Sequence, residues 1–508
     1  MGIINSIYNA TLEYINTKPK TERKKIGQFF TPPPVAEFMA SLAEFTDEEI
    51  ALLDPGAGSG ILTGALCDAI IANSNIRKVH ATLYENNIDV LPVLNTNMEL
   101  IKAHMQKNGK EFFYKIVDSN FITANGLFWR NELGAEENYY DVIIANPPYK
   151  KIGKSDQEAI EMESIVYGQP NIYFLFMAMA AKMLKEDGQM IFINPRSFSS
   201  GAYFQKFRQW FFENIKLSHL HLFVSREDVF NCDSVLQETI ILKAVKTKKN
   251  ISNITVTETE NLMMFESIKR FQVPYEIVVS NEEERFMLIP TKSEDTDIIS
   301  FMKAWPETLI SLGYKLKTGP VVDFRATEFL KEENEENTVP LFWPYNYDGY
   351  RIKYPVKNAK KPQFIIDSDK SKYLLLKNED YIFVKRFTSK EENRRIQSAI
   401  YLESEFDESF IGIENHLNYI TKIHGKFQPE ELYGLFVILN SSYIDKYFRI
   451  LNGSTQVNAN EMNTMPFPSK QDIIELGKVA LNTQFLSVEE CDRILENKFG
   501  SAELKNVG

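Results

Sequence analysis

Seven short apolar runs divide the first 245 residues: "IALLD" (50–54), "KVHATLYE" (78–85), "FFYKIVD" (112–118), "DVIIAN" (141–146), "GQMIFINP" (188–195), "LSHLHLFV" (217–224) and "VLQETIILKAV" (235–245). They are rich in β-branched and aromatic residues, the marks of strands. Helical patterns at 60–73, 87–106 and 171–185 separate the earlier ones. Such alternation leaves few folds, because a parallel neighbour is reached only through a crossover, nearly always right-handed. The expected class is α/β, with a seven-stranded, mostly parallel, doubly wound sheet in residues 1–250.

A chain of 508 residues is too long for one core. Residues 251–300 are polar and mixed and read as a linker region. Residues 301–508 carry many aromatics, as in "PLFWPYNYDGYRIKYP", and short β-like runs without alternation, which predicts a second, α+β domain. Ahead of the first strand, 1–46 reads as a helical part, with Pro32-Pro33-Pro34 introducing a helix through Ser41.

At 44% apolar and 25% charged, the composition is that of a soluble globular protein. No apolar stretch approaches the roughly 20 residues of a membrane span, and the N-terminus lacks the order of a signal peptide. Cys67, Cys232 and Cys491 are too scattered for a disulfide framework, and the six histidines lack ligand spacing. A cytoplasmic protein with no metal and no membrane partner is expected. Met177, Met179 and Met183 read as core filler.

Net charge is −12, which by itself argues against a polyanionic partner. Its distribution qualifies this: "TKPKTERKK" (17–25) holds five basic residues and one acid, and "VKRFTSKEENRR" (384–395) is basic at both ends. A basic cleft on an acidic body and plain solvated charge both fit these runs.

"LLDPGAGSGILTGAL" (52–66) places an acid and a glycine-rich turn between a strand and a helix, letting backbone approach a ligand at the helix N-terminus. A plain tight turn fits equally; the missing Lys-Ser/Thr argues against a nucleoside triphosphatase. The next strands end in Glu85 and Asp118, carboxylates able to accept from ribose hydroxyls and an adenine amino group, or to cap a following helix. The fourth runs into Asn146-Pro147-Pro148-Tyr149. Proline cannot donate to a ladder, so this turn lies beyond the strand's carboxyl end, where α/β folds bind ligands. The polar stretch 150–170 behind it is long enough to suggest a functional segment, ordered by substrate.

"KKIGQFFTPPPVAEFMASL", "DPGAGSG", "YE", "DSNF" and "NPPY", in that order, resemble the gamma group of S-adenosylmethionine-dependent DNA amino-methyltransferases of bacterial restriction-modification systems. "TGPVVDFRA", "VKRFTSKEENRRI", "IENHLNYI" and "NGSTQVNANEMNTMPFPS" look like the target-recognition part of that family, so the resemblance covers nearly the whole chain. It implies that Gln28, Phe29, Phe30, Thr31 and Pro32 line the methionine end of S-adenosylmethionine and that Asp54, Gly56 and Gly58 form its main loop. Glu85 would hold the ribose hydroxyls and Asp118 the adenine amino group, with Phe121 packing near the adenine.

An exocyclic amine is a poor nucleophile because its lone pair is delocalised into the ring. The Asn146 amide oxygen and the Pro147 carbonyl could each accept one amino hydrogen, with Pro148 stiffening the turn. Tyr149 would stack on a base that has left the duplex. By resemblance, Phe230 in "EDVFNCDSV" would close the other face.

The implied function is methylation of adenine N6 at a specific sequence in double-stranded DNA, guarding host DNA in a restriction-modification system. Candidates for DNA contact are Lys385, Arg386, Arg394, Arg395, Asn452, Gly453, Ser454, Thr455, Gln456 and Asn458. A cognate endonuclease encoded nearby without a stable complex, and a monomer or dimer, complete the expectation. Size and layout resemble the PstI and BsuBI type, which act on CTGCAG. Cytosine N4, an RNA or protein amide, and a non-catalytic DNA-binding subunit are the alternatives; no nuclease cluster of paired acids followed by lysine is evident.

Overall fold

The computed structural model describes residues 2–17, 30–72, 75–134, 139–223, 239–259, 265, 267–280, 283–388, 392–452 and 455–499. The chain divides into two compact units, Met1–Thr291 and Lys292–Gly508.

The seven expected strands all form: β1 (Glu49–Asp54), β2 (Lys78–Tyr84), β3 (Glu111–Val117), β4 (Tyr140–Ala145), β5 (Leu184–Pro195), β6 (Lys216–Phe223) and β7 (Thr239–Val245). Two more, β8 (Asn253–Thr259) and β9 (Lys269–Pro274), extend the sheet to nine, in the order β3-β2-β1-β4-β5-β7-β6-β8-β9. Seven strands is therefore corrected to nine. The expected linker at 251–300 is corrected with it, because residues up to Thr291 belong to the first unit. The polarity of 253–259 misleads near an edge: Ile254 and Val256 are wholly buried, while Asn253 is exposed and Thr255 and Glu258 are half-buried.

β1 to β5 are mutually parallel, whereas β7 runs antiparallel between β5 and β6. Their side chains alternate between two cores. Leu52, Val142, Ile144 and Ile191 face one with the helices Pro33–Ser41 and Ile61–Ala72; Leu53, Ile143, Met190 and Phe192 face the other with Ile172–Met183. Met177, Met179 and Met183 are buried in the latter core. Strand order reverses beside β1, since β2 and β3 lie to one side and β4 to the other. A crevice opens at such a point, between the carboxyl ends of the two strands.

The second unit holds a six-stranded and a five-stranded sheet, followed by helices Pro429–Asn440, Ser442–Leu451, Lys470–Leu481 and Val488–Phe499. Its mixed α+β character is as expected. Gly434 lies against the backbone of Ile473, and Gly477 against that of Glu430, so a Cβ at either would collide with main chain.

Candidate active site

β1 and β4 are neighbours through Leu52–Val142 and Leu53–Ile143, which brings the turn after Asp54 beside the turn after Ala145. Both open on one cavity of ≈ 540 Å³. Of the residues singled out from sequence, Phe30, Thr31, Gly56, Gly58, Glu85, Phe121, Asn146 and Pro148 line it. Gln28 and Phe29 lie outside the described residues, as do Phe230, Gly453 and Ser454. Pro32 is the N-cap of the helix Pro33–Ser41.

The glycine turn is held from behind. Ala57 N–H donates to the Tyr84 carbonyl (2.9 Å), and Asn97 Nδ2 donates to the Ser59 carbonyl (2.8 Å). Gly58 and Gly60 have φ of +54° and +82°, a region that L side chains rarely adopt, and a Cβ on Gly60 would run into Met98. Gly56 is ordinary by comparison: a Cβ there would sit 3.5 Å from Phe176.

Asp54 does not face the cavity. It is fully buried, and its Oδ2 accepts from Thr63 Oγ1 at 2.9 Å. Burial raises its carboxyl from an ordinary 3.8 to about 7, a rise opposed by Thr63 and the Gly56 N–H and reinforced by the charge of Glu85. Glu85 grips the loop, its Oε2 accepting from Gly58 N–H (2.9 Å) and its Oε1 from Asn87 N–H (2.7 Å). Burial raises the Glu85 carboxyl too, against the pull of those donors.

Asp118 is exposed, and Ser119, Asn120 and Phe121 line the cavity in its place. Asn120 Oδ1 caps the short helix Phe121–Ala124 by accepting from Ile122 and Thr123 N–H, and its Nδ2 donates to Glu158 Oε1 at 2.8 Å. Glu158 and Lys150 reach the cavity from the polar stretch after the proline turn. That stretch carries the short helix Gln157–Glu161. Its length and place had marked the segment but not these side chains, since a Lys or Glu in a polar loop carries no local signal.

Within the turn, Asn146 Nδ2 donates to Thr31 Oγ1 (3.1 Å), and the Tyr149 hydroxyl lies 2.8 Å from Asn146 Oδ1 and 3.0 Å from the Ile193 carbonyl. The amide is thus oriented from both ends. A carboxamide oxygen carries two lone pairs and can accept more than one hydrogen bond. The Tyr149 ring is half-buried against the core and edge-on to Tyr173 at 6.3 Å, and burial holds its phenol well above the usual range.

The chain is 37% identical over 483 residues to the Type II methyltransferase M.BsuBI of Bacillus subtilis, covering 93% of this chain and 94% of that one. The chain belongs to the Type II restriction-modification methyltransferases. M.PstI of Providencia stuartii is 34% identical over 484 residues, covering 93% of each chain. The model of the Eco57I restriction-modification methylase family matches residues 54–230, from the glycine turn past the Asn-Pro-Pro-Tyr turn. The Type IIL restriction-modification enzyme MmeI, solved in complex with DNA, shares the fold at 11% identity, with a TM-score of 0.53 over 99% of this chain and 75% of its own.

In this Type II methyltransferase, several second-unit candidates serve the unit itself. Arg395 is fully buried: Nε donates to Thr388 Oγ1 (3.1 Å), Nη2 to Asn452 Oδ1 (3.4 Å), and its backbone N–H to Asp445 Oδ1 (2.7 Å). Arg394 donates from Nη2 to the Ser441 carbonyl (3.1 Å), and buried Asn452 bonds the Gln456 carbonyl (3.1 Å) and Glu461. As outward contacts Arg395 and Asn452 are corrected, because buried cations and amides must be internally satisfied; Arg394 is half-buried. Asn458 stands at the N-cap position of the helix Ala459–Thr464, and its Nδ2 donates to Glu461 Oε2 at 3.3 Å. Lys385 donates to Gln397 Oε1 at 2.7 Å and is half-buried, Thr455 is exposed, and Gln456 pairs with Phe387.

Proposed function

We propose that this chain transfers a methyl group from S-adenosylmethionine to N6 of adenine at a specific sequence in duplex DNA. The observation that carries the proposal is the joint opening of the glycine turn and the Asn-Pro-Pro-Tyr turn on one cavity at the reversal of strand order.

The residues present suit the cofactor. The volume falls within the roughly 300–1,000 Å³ typical of small-molecule sites. Positive φ at Gly58 bares backbone to the cavity, and Glu85 keeps accepting capacity for ribose hydroxyls at its rim. When bound, S-adenosylmethionine supplies an electrophilic methyl group. The chain has to present the amine. Asn146 Oδ1 accepts one amino hydrogen while Thr31 and Tyr149 keep the amide from rotating, and the Pro147 carbonyl accepts the other. Both contacts concentrate the lone pair on nitrogen and gain strength as positive charge develops there. The Tyr149 ring borders the place for the extruded base.

Such an enzyme works in the cytoplasm and shields host DNA from an endonuclease of the same specificity. The test is transfer of labelled methyl to duplex DNA, RNA and protein in parallel, with sequencing of the methylated positions. Asn146→Ala should abolish transfer and leave cofactor affinity nearly intact. Label on RNA or protein but not DNA would overturn the proposal, and label on cytosine would replace its base.

A further inference from the structure

The four second-unit segments that resemble target-recognition sequence meet at one place. Val321 N–H donates to the Ile413 carbonyl (3.1 Å) and Asn415 N–H to the Val321 carbonyl (2.8 Å). Arg386 N–H donates to the His416 carbonyl (2.9 Å), Val457 N–H to the Arg386 carbonyl (2.7 Å), and Thr388 N–H to the Thr455 carbonyl (3.1 Å). Main-chain bonds therefore lock 321–326, 386–388, 413–417 and 455–457 into one surface.

That surface exposes rings where a folded protein ordinarily hides them. Phe387 is 41% exposed, with the His416 ring 4.9 Å away and the Arg386 guanidinium 5.2 Å from its centroid. Phe324 is 71% exposed, with the Arg325 guanidinium 5.4 Å from its ring. Of the local acids, Glu414 is fully buried and bonded to His416, and Asp323, half-exposed, is paired with Lys361 at 2.8 Å. Arg325 is exposed and Arg386 half-buried on this surface. A carboxylate only accepts, so with His416 Nδ1 2.6 Å from Glu414 Oε1, Nδ1 donates in that bond.

We propose that the Phe387–His416 ring pair, with Arg386 beside it and Arg325 on the adjoining 321–326 segment, is the base-reading element of the second unit and seats against duplex DNA. The rings and Nε2 meet base edges, and the guanidiniums hold phosphate and set register. This rests on the DNA-methyltransferase reading above. The ring pair is distinct from the buried Arg395 and Asn452, which bond to Thr388 and to the Gln456 carbonyl.

The test uses the full chain. Methylated positions are mapped in DNA exposed to the wild-type enzyme. kcat/KM is then compared on a duplex with the mapped site and on duplexes with single base changes. Phe387→Ala should lower kcat/KM on the mapped site by about 10- to 100-fold and narrow the gap to the altered duplexes. Cofactor affinity and melting temperature should stay at the wild-type values. Arg325→Ala should weaken all duplexes alike and flatten the salt dependence. Phe485→Ala, which removes a ring 62% exposed elsewhere in the unit, should behave as wild type. Should Phe387→Ala unfold, His416→Gln carries the same expectation. Wild-type rate and discrimination in the folded Phe387 or His416 variant would overturn the proposal. A wild-type enzyme that methylates RNA or protein but no DNA would instead remove the reading beneath it.

Discussion

The Tyr149 hydroxyl lies 2.8 Å from Oδ1 of Asn146, so the turn's aromatic residue also orients its amide. Tyr149→Phe keeps the ring and removes the donor. A lost hydrogen bond of this kind is worth roughly 1 kcal/mol, so kcat should fall by about 5- to 10-fold with cofactor affinity unchanged. Single-turnover methyl transfer beside a cofactor titration measures both. An unchanged kcat would show that Thr31 suffices to hold the amide.

The glycines of the turn after β1 should differ in tolerance. Gly60→Ala combines a φ of +82° with a collision at Met98 and should destabilise the first unit by about 1–3 kcal/mol. Gly56→Ala meets nothing nearer than Phe176 at 3.5 Å and should fold normally. Denaturant unfolding of both variants checks the contrast. Equal losses would mean that space, not backbone conformation, limits the turn.

Asp54 ties stability to pH. Its carboxyl is raised from 3.8 to about 7 in the fold, so between those values the native state binds a proton that the unfolded chain has released. Stability from this group is complete below about pH 4, declines as pH rises toward 7, and levels off above. Glu85, also raised, acts in the same direction. Asp54→Asn should flatten the decline, measured as unfolding free energy from pH 4 to 8. A slope identical to that of the wild type would exclude Asp54 as its source.

Arg395→Ala should act on the fold before it acts on any ligand. Removing a fully buried guanidinium leaves Asn452 and Thr388 without their donor and opens a cavity, at about 3–5 kcal/mol. The melting temperature of the second unit should drop. A variant that melts as the wild type yet loses DNA binding would return Arg395 to the recognition surface.

Strands β1 to β7, the glycine turn and the Asn-Pro-Pro-Tyr turn were legible because each rests on local chemistry: alternation of apolar residues, the conformational freedom of glycine, and the missing donor of proline. The last two strands, β8 and the edge strand β9, were not. A strand with one face in the core needs only half its residues apolar, and the polar remainder resembles a linker.

Side-chain destinations were the other limit. The basic and amide residues of 384–395 and 452–458 looked outward by composition, yet Arg395 and Asn452 turn inward to partners up to 57 residues apart, while Phe387 and His416 come out. By itself the sequence determined the strand–helix order and the chemistry available at the end of β4. Only the tertiary structure decided which acid grips the cofactor turn, which stands outside it, and which face of the second unit is open. Burial and hydrogen-bond partnership are set by residues distant along the chain, and no local pattern encodes them.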